Sequence, residues 1–447
     1  MFHPLYNLAA WLAQPLVRRK LRRRGVLEPA YLDRVPERFG HYAVPRPEPA
    51  PGEPLVWIHA VSLGETRAAA LLVEALRRQR PQLRLLLTHG TATGRAQGIA
   101  LLRPGDEQVW QPWDTRGAVR RFLRHFRPDV GVLMETEVWP NLVRQSAALG
   151  VPLALANARL SEKSLRGANR LGAVMHRTYA ALATVWAQTE ADAERLRQAG
   201  ARQVQVLGNL KFDARPDVAL LARGQAWRAR ASAPVVLLAS SREGEEVEFL
   251  KQVLAVLQAW GAHPPAPVDG VARRPPQWLI VPRHPQRFDE VARLVRASGL
   301  RLGRRSQWDA AGPAPDAAPV EVWLGDSLGE MPAYYALADV ALLGGSFEPL
   351  GGQNLIEAAA CGCPVVMGPH TFNFSQAAEL AEAAGAAQRV TDLAAGIDVA
   401  RALLTEPAEL AAMRQAALDF AAAHRGAAER TAQALLALLP GAESART

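Results

Sequence analysis

Acidic, basic and glycine-rich clusters recur along this chain directly after short apolar runs. His59-Ala-Val-Ser-Leu-Gly-Glu65-Thr sets a carboxylate at a glycine-containing turn. Partly buried, such a group is poised to take a proton from an attacking hydroxyl. The competing role is a first-turn acid that complements a helix dipole. Thr88-His-Gly-Thr-Ala-Thr-Gly94 offers hydroxyls and free amides to a polar ligand. Met134-Glu135-Thr-Glu137-Val-Trp-Pro-Asn141 carries two acids, without the Asp-x-Asp spacing or nearby His that would argue for a divalent metal. One of them can equally cap the next helix. Gly208-Asn-Leu-Lys211-Phe-Asp213 holds one of only four lysines, and Lys163 lies in a second loop motif. A chain that uses Arg almost everywhere specifies a compact ammonium where it keeps Lys, unless so small a number reflects chance.

The second half supplies a nucleotide-like set. Trp278-Leu-Ile-Val-Pro282-Arg283-His284-Pro285 ends an apolar run on a guanidinium suited to a phosphate. Gly325-Asp-Ser-Leu328-Gly329-Glu330-Met opens a helix whose amides can meet a nucleotide. Gly344-Gly-Ser346 through Gly351-Gly-Gln-Asn354-Leu355-Ile356-Glu357 adds close backbone approach, a helix N-terminus and a carboxylate for ribose hydroxyls. Ordinary strand-to-helix turns explain one such loop easily and three poorly. Cys361 and Cys363 read as small buried thiols, and His370 serves either substrate or the loop around Phe372 and Phe374.

What must position these groups is an alternation of strand and helix. Leu55–Ala60, Leu83–Thr88, Val130–Met134, Val151–Ala156 and Ala183–Ala187 are expected strands, with a helix at Thr66–Arg80. The pattern loosens over Asp213–Ala233, the expected interdomain connection. It resumes with strands at Val235–Ala239, Trp278–Pro282, Glu321–Leu324, Val340–Leu343 and Val365–Met367. Pro264–Gln277 is expected to be a surface loop. Two α/β, doubly wound parallel units separated by a cleft follow, with ligands beyond the strand carboxyl ends.

With 447 residues, 49% of them hydrophobic, the chain is neither disordered nor fibrous and is long enough for roughly two to three domains. Two cysteines exclude a disulfide framework and a Cys-rich zinc site, and point to a reducing compartment. The net charge of +9 is uneven: eight Arg and Lys against three acids fall in the first 40 residues. This cluster, Arg18 to Arg24, follows the apolar stretch 1–17, an order that favours an anionic membrane surface over nucleic acid. The stretch is too short and polar to span and lacks the layout of a secretory signal. Phe2, Leu5, Leu8, Ala9, Trp11 and Leu12 fall near one helical face, expected to lie in the membrane interface or else to dock on its own domain.

The segments HAVSLGET, METEVWPNL, NARLSEKS, GNLKFD, VPRHP, GDSLGEM, GGQNLIEAAA and MGPHTFNF, in this order between residues 57 and 374, resemble the 3-deoxy-D-manno-octulosonic acid (Kdo) transferases of lipopolysaccharide synthesis. That resemblance implies a GT-B glycosyltransferase with two Rossmann-like domains. The divisions are 1–50 for the membrane-associating segment, 51–215 for the acceptor domain and 216–447 for the donor domain. The last helices are free to pack back on the acceptor domain. It further implies CMP-Kdo as donor, a lipid A precursor (lipid IVA) as acceptor, and the cytoplasmic face of the inner membrane as location. Glu65 would be the general base; Glu135 and Lys211 would stabilise the transition state. Pro282, Arg283, Leu328, Gly329, Glu330, Asn354, Leu355, Ile356 and Glu357 would contact CMP. Inverting transfer would need no metal and no cofactor, with Arg283 and a helix N-terminus offsetting the leaving phosphate. Gln353 stands where some members have His, and residues 264–277 are an insertion. The alternatives are another GT-B transferase or an epimerase using a UDP-sugar, or a non-catalytic nucleotide-binding protein at the membrane.

Overall fold

Apolar runs of four to six residues that are buried on both faces can satisfy their backbones only by pairing with one another. The computed structural model describes residues 2–48, 52–264, 274–313 and 320–439, with the backbone alone for residues 2–5. Its first sheet contains β1 (Leu55–His59), β2 (Arg84–His89), β3 (Glu107–Trp110), β4 (Val130–Met134), β5 (Leu153–Ala158), β6 (Thr184–Ala187) and β7 (Val204–Val206). The spatial order is 3-2-1-4-5-6-7, and every neighbouring pair is parallel. The second sheet contains β8 (Val235–Ser241), β9 (Gln277–Pro282), β10 (Leu302–Arg304), β11 (Val322–Leu324), β12 (Val340–Leu343), β13 (Val365–Met367) and β14 (Ala387–Arg389). Its order is 10-11-9-8-12-13-14, again all parallel. Both are Rossmann-like, doubly wound α/β units.

Alternation along β1 shows how each sheet is covered. Leu55 and Trp57 face one core with Phe122 and Phe126, whereas Val56 and Ile58 face another with Leu72 and Leu76. The chain divides into two compact units, one built from residues up to Asp213 together with those from His424 onward, the other from Ala214–Ala423. The last helix, Ala427–Leu436, belongs to the first unit because Ala427, Ala428, Ala432 and Leu435 complete the Val56–Ile58 core. Asp213 fixes that return, since its carboxylate accepts the backbone N–H groups of Gly426 and of Ala428, the latter at 2.6 Å.

Four details differ from the sequence expectations. β3, β7, β10 and β14 were not expected, and all four are sheet edges, short and partly polar. The supposed connection 213–233 contains a helix, Val218–Arg230, capped by Asp217 and anchored by the fully buried Trp227. Neither Glu135 nor Glu137 caps the helix Pro140–Ala148, whose cap position is Trp139. Most of the proline-rich stretch 264–277 lies outside the described residues, while Gln277 opens β9.

The basic N-terminal stretch forms helices Phe2–Leu12 and Gln14–Leu27. One side docks: Tyr6 donates to Asp114 at 2.7 Å, the Trp113 indole donates to the Ala10 carbonyl, and Leu21 is buried with Tyr31 and Trp110. The other side leaves Leu8, Trp11, Leu12 and Leu16 exposed at helical spacing. The side chains of Phe2 and Leu5 lie outside those described. Among the described residues no helix is long and apolar enough to cross a membrane.

Asp213→Ala strands two helix N-terminal amides, each costing roughly 1–3 kcal/mol when left unpaired. We expect a lower urea midpoint and proteolytic release of the last helix before the rest of the first unit opens; an unchanged midpoint would contradict this role.

Candidate active site

Parallel pairing delivers His59, His89, Met134, Ala158 and Ala187 to one edge of the first sheet, and the loops that follow carry its polar groups. After β1, Ser62 caps the helix Leu63–Gln79 and Glu65 reaches back over the cap. Glu65 accepts from the Val61 N–H at 2.8 Å and from the Ser62 hydroxyl at 3.0 Å. The Ser-x-x-Glu spacing at 62–65 is the signature of such a reciprocal cap. The first-turn role therefore holds, yet it does not settle the carboxyl group's charge. Burial first, then the negative charges of Glu135 and Glu137, outweigh the two hydrogen bonds and push the carboxyl up to about 7.

The neighbouring imidazoles behave in the opposite way. Burial drives His59 down to about 3 and His89 to about 4, so both are neutral packing elements with hydrogen bonds to backbone carbonyls. Of these three groups, only Glu65 is tuned near neutrality.

Glu135 follows β4 in a left-handed conformation, φ +56°, which is uncommon for a residue with a side chain. It is buried and doubly paired, to the Lys211 ammonium at 3.1 Å and the Arg159 guanidinium at 3.1 Å. Glu137 accepts from the Trp139 indole at 2.8 Å, and burial raises its carboxyl too. Lys211 sits on the short 3-10 turn Leu210–Asp213. That turn is held by Asn157, whose side chain accepts the Leu210 N–H at 3.0 Å and whose own φ is +51°. The structure thus brings Glu65, Glu135, Glu137 and Lys211 into one electrostatic cluster. Arg159 and Asn157 complete it and were not singled out beforehand; their signal was polar residues at and just after the end of β5, inside NARLSEKS. Lys163 stands apart, exposed on the first turn of the helix Glu162–Arg170.

In the second unit, Pro282 ends β9 and exposed Arg283 donates to the Gln353 side chain at 3.1 Å. Gln353 therefore ties two of the expected nucleotide loops together. Asn354 caps the helix Leu355–Ala360 by accepting the Ile356 N–H, with Leu355 and Ile356 buried and Glu357 half-buried on the first turn. Gly344 permits the close approach of this loop to β8, because a Cβ there would lie 2.5 Å from the Ser240 carbonyl. Glu245, buried at the start of the helix Glu245–Ala262, accepts the N–H groups of Arg242, Gly345 and Phe347. One carboxylate thus joins the loops after β8 and β12. Beside them Arg242 and Arg283 both contribute to holding His284 below its usual range, after burial.

The third loop is arranged differently. Leu328 is exposed and Gly329 has φ +80°, while Glu330 is occupied by Arg223 and Arg305, each at 3.0 Å, and by Ser327. Hydrogen bonds from Ser327 and Arg305 and the two positive charges hold its carboxyl below the usual range despite burial. Glu330 thus anchors this loop to Arg223 and Arg305. Residues 368–374 support the glycine loop through backbone bonds, His370 N–H to Ser346 and Asn373 N–H to Gly351. Cys361 and Cys363 are unbridged thiols raised by burial. Among the described residues, no three His, Cys, Asp or Glu side chains converge in a metal-binding arrangement.

The family model described as "3-Deoxy-D-manno-octulosonic-acid transferase (kdotransferase)" matches residues 33–214. A 3-deoxy-D-manno-octulosonic acid transferase from Bordetella pertussis is 50% identical over 406 residues, covering 90% of this chain and 91% of the relative. The enzyme of that name from Haemophilus influenzae is 31% identical, covering 84% of each chain. The crystal structure of a glycosyltransferase from Rickettsia africae is similar in fold, with a TM-score of 0.56 at 12% identity, over 87% of this chain and 99% of that one. The chain belongs to the 3-deoxy-D-manno-octulosonic acid transferase family of GT-B glycosyltransferases.

Proposed function

We propose that this Kdo transferase takes its sugar from CMP-Kdo and passes it, with inversion, to a lipid A precursor such as lipid IVA at the cytoplasmic face of the inner membrane. The observation that carries the reading is Glu65, a carboxyl group fixed by its own helix cap and raised to about 7 beside the Glu135–Lys211 pair. A base works best with a pKa near the operating pH, where it is substantially ionised and still basic enough to draw a proton.

In the reaction, Glu65 receives the proton of the acceptor hydroxyl as its oxygen bonds to the anomeric carbon of Kdo. The bond from that carbon to the CMP phosphate oxygen breaks, and its electron pair leaves with CMP. Positive charge develops on the sugar ring next to Kdo's own carboxylate. Lys211 suits that carboxylate, and Glu135, already neutralised by Lys211 and Arg159, keeps the ammonium in place. In the second unit, Arg283 and the amides around Asn354–Glu357 suit a phosphate that gains charge as it departs. Pro282 and the Leu328–Glu330 loop would border the cytidine. These cationic groups supply the offset that a divalent metal gives in other transferases, so the transfer is proposed to need neither metal nor cofactor. The exposed Leu8, Trp11, Leu12 and Leu16, flanked by basic residues, suit the interface where a lipid acceptor resides.

Glu65→Gln should retain CMP affinity and lose transfer by roughly a hundred- to ten-thousand-fold. Product mass and CMP release measure this, and preserved turnover would remove Glu65 from the role. Because the base acts deprotonated, kcat/KM should climb with pH through an apparent pKa near 7. Glu135→Gln removes one of the negative charges that raise Glu65 and frees an ammonium close by. Its residual activity should therefore titrate at lower pH than the parent's, and a profile displaced upward would refute the coupling.

A further inference from the structure

The helix Arg116–Phe126 presents Arg116, Arg120, Arg121 and Arg124, is followed by Arg127, and contains no acid. Beside it opens a surface cavity of about 720 Å³ whose walls include Tyr42, Arg46, Arg121, Arg124, His125 and Arg127, with no Asp or Glu among the described lining residues. The walls are braced by backbone bonds: Arg121 donates to Phe39 at 2.5 Å, Arg46 donates to Arg124 at 2.7 Å, and the His125 ring meets the Val44 carbonyl at 3.0 Å. Among the described residues, the Arg124 and Arg127 guanidinium groups have no ion pair or hydrogen bond.

The Tyr42 hydroxyl makes a second, independent case. Its ring packs edge-on against Phe126 at 4.8 Å, yet the buried hydroxyl has no hydrogen-bond partner. Buried hydroxyls are normally paired, because leaving one unpaired forfeits its hydration without return. An oxyanion in the cavity would accept from it and draw on several cationic side chains at once.

We propose that this cavity is a phosphate site for the headgroup of an anionic membrane lipid. Continuity with the N-terminal helices favours a lipid over a free phosphate. The Arg18 guanidinium lies 3.9 Å over the Phe39 ring, and the carbonyl of that same Phe39 holds Arg121. The basic helix Gln14–Leu27 thereby reaches the segment that braces the cavity, and the exposed apolar residues Leu8, Trp11, Leu12 and Leu16 belong to the same N-terminal stretch of chain. The inference rests on the membrane location proposed above and adds to it a second, headgroup-binding contact outside the N-terminal helices.

The test is co-sedimentation of the full chain with phosphatidylcholine vesicles, with and without phosphatidylglycerol, beside a titration with glycerol phosphate. Arg124→Gln combined with Arg127→Gln should weaken binding to the anionic vesicles roughly tenfold or more, since each basic residue near such a surface strengthens binding several-fold. Tyr42→Phe removes only the unpaired hydroxyl, so it should weaken the same binding without lowering the melting temperature. Vesicle binding equal to the parent's in both variants overturns the proposal. Glycerol phosphate binding as tightly as the vesicles, with no difference between the two vesicle types, overturns the lipid assignment. Transfer to acceptor dispersed in detergent should be unchanged in these variants; its absence from the parent itself would instead indict the catalytic reading.

Discussion

Parallel strand pairing is the constraint from which the remaining structure follows. A parallel ladder needs a crossover between successive strands, and among the described residues most strands here are followed by a helix, β10 by the short 3-10 turn Arg305–Gln307 instead. Every strand of a sheet then ends on the same edge, and each loop there begins beside a helix N-terminus. Polar groups far apart in the chain, Glu65, Glu135, Arg159 and Lys211, meet for that reason. The second sheet repeats the arrangement with Arg242, Arg283 and the glycine loop.

Within that frame the first unit's cluster balances opposing charges. Three carboxylates near one another would repel, and each would tend to hold its proton. Two cations, Lys211 and Arg159, pair with the buried Glu135. Glu65 has no such cationic partner among the described residues; burial, with its acidic neighbours, outweighs its cap and its carboxyl rises accordingly. The left-handed residues Glu135, Asn157 and Ser240 all lie within one residue of a strand's carboxyl end. Such conformations cost roughly 1–3 kcal/mol each and persist where surrounding bonds hold them. The Asn157 bond to Leu210 is one of these.

Chain ends matter as much as the sheets. The N-terminal helices divide their two sides between docking on the first unit and leaving apolar residues exposed, so the two roles considered for that segment are not exclusive. At the other end, the final helix completes a core whose strands lie more than 200 residues earlier, through the Asp213 carboxylate that spans 213 and 215 positions to Gly426 and Ala428.

Much of this was legible from local pattern. Interior strands such as Val130–Met134 and Val340–Leu343 stand out because burial on both faces demands an unbroken apolar run, and the glycine-rich and acidic loops follow directly behind such runs. The motifs carried the family resemblance for the same local reason. Edge strands β3, β7, β10 and β14 were invisible because half their backbone and part of their surface need no apolar cover, so short polar sequences suffice. The helix Val218–Arg230 was hidden because its hold comes from Trp227 packing within the second unit, not from a clean periodicity of its own. Sequence alone determined which residue types were available for proton transfer and anion binding. Tertiary structure decided their state: the elevation of Glu65, the neutrality of His59 and His89, the double pairing of Glu135 and the occupation of Glu330 by arginines. Burial and charge proximity arise only once distant loops share one sheet edge, and one-dimensional spacing does not encode those distances.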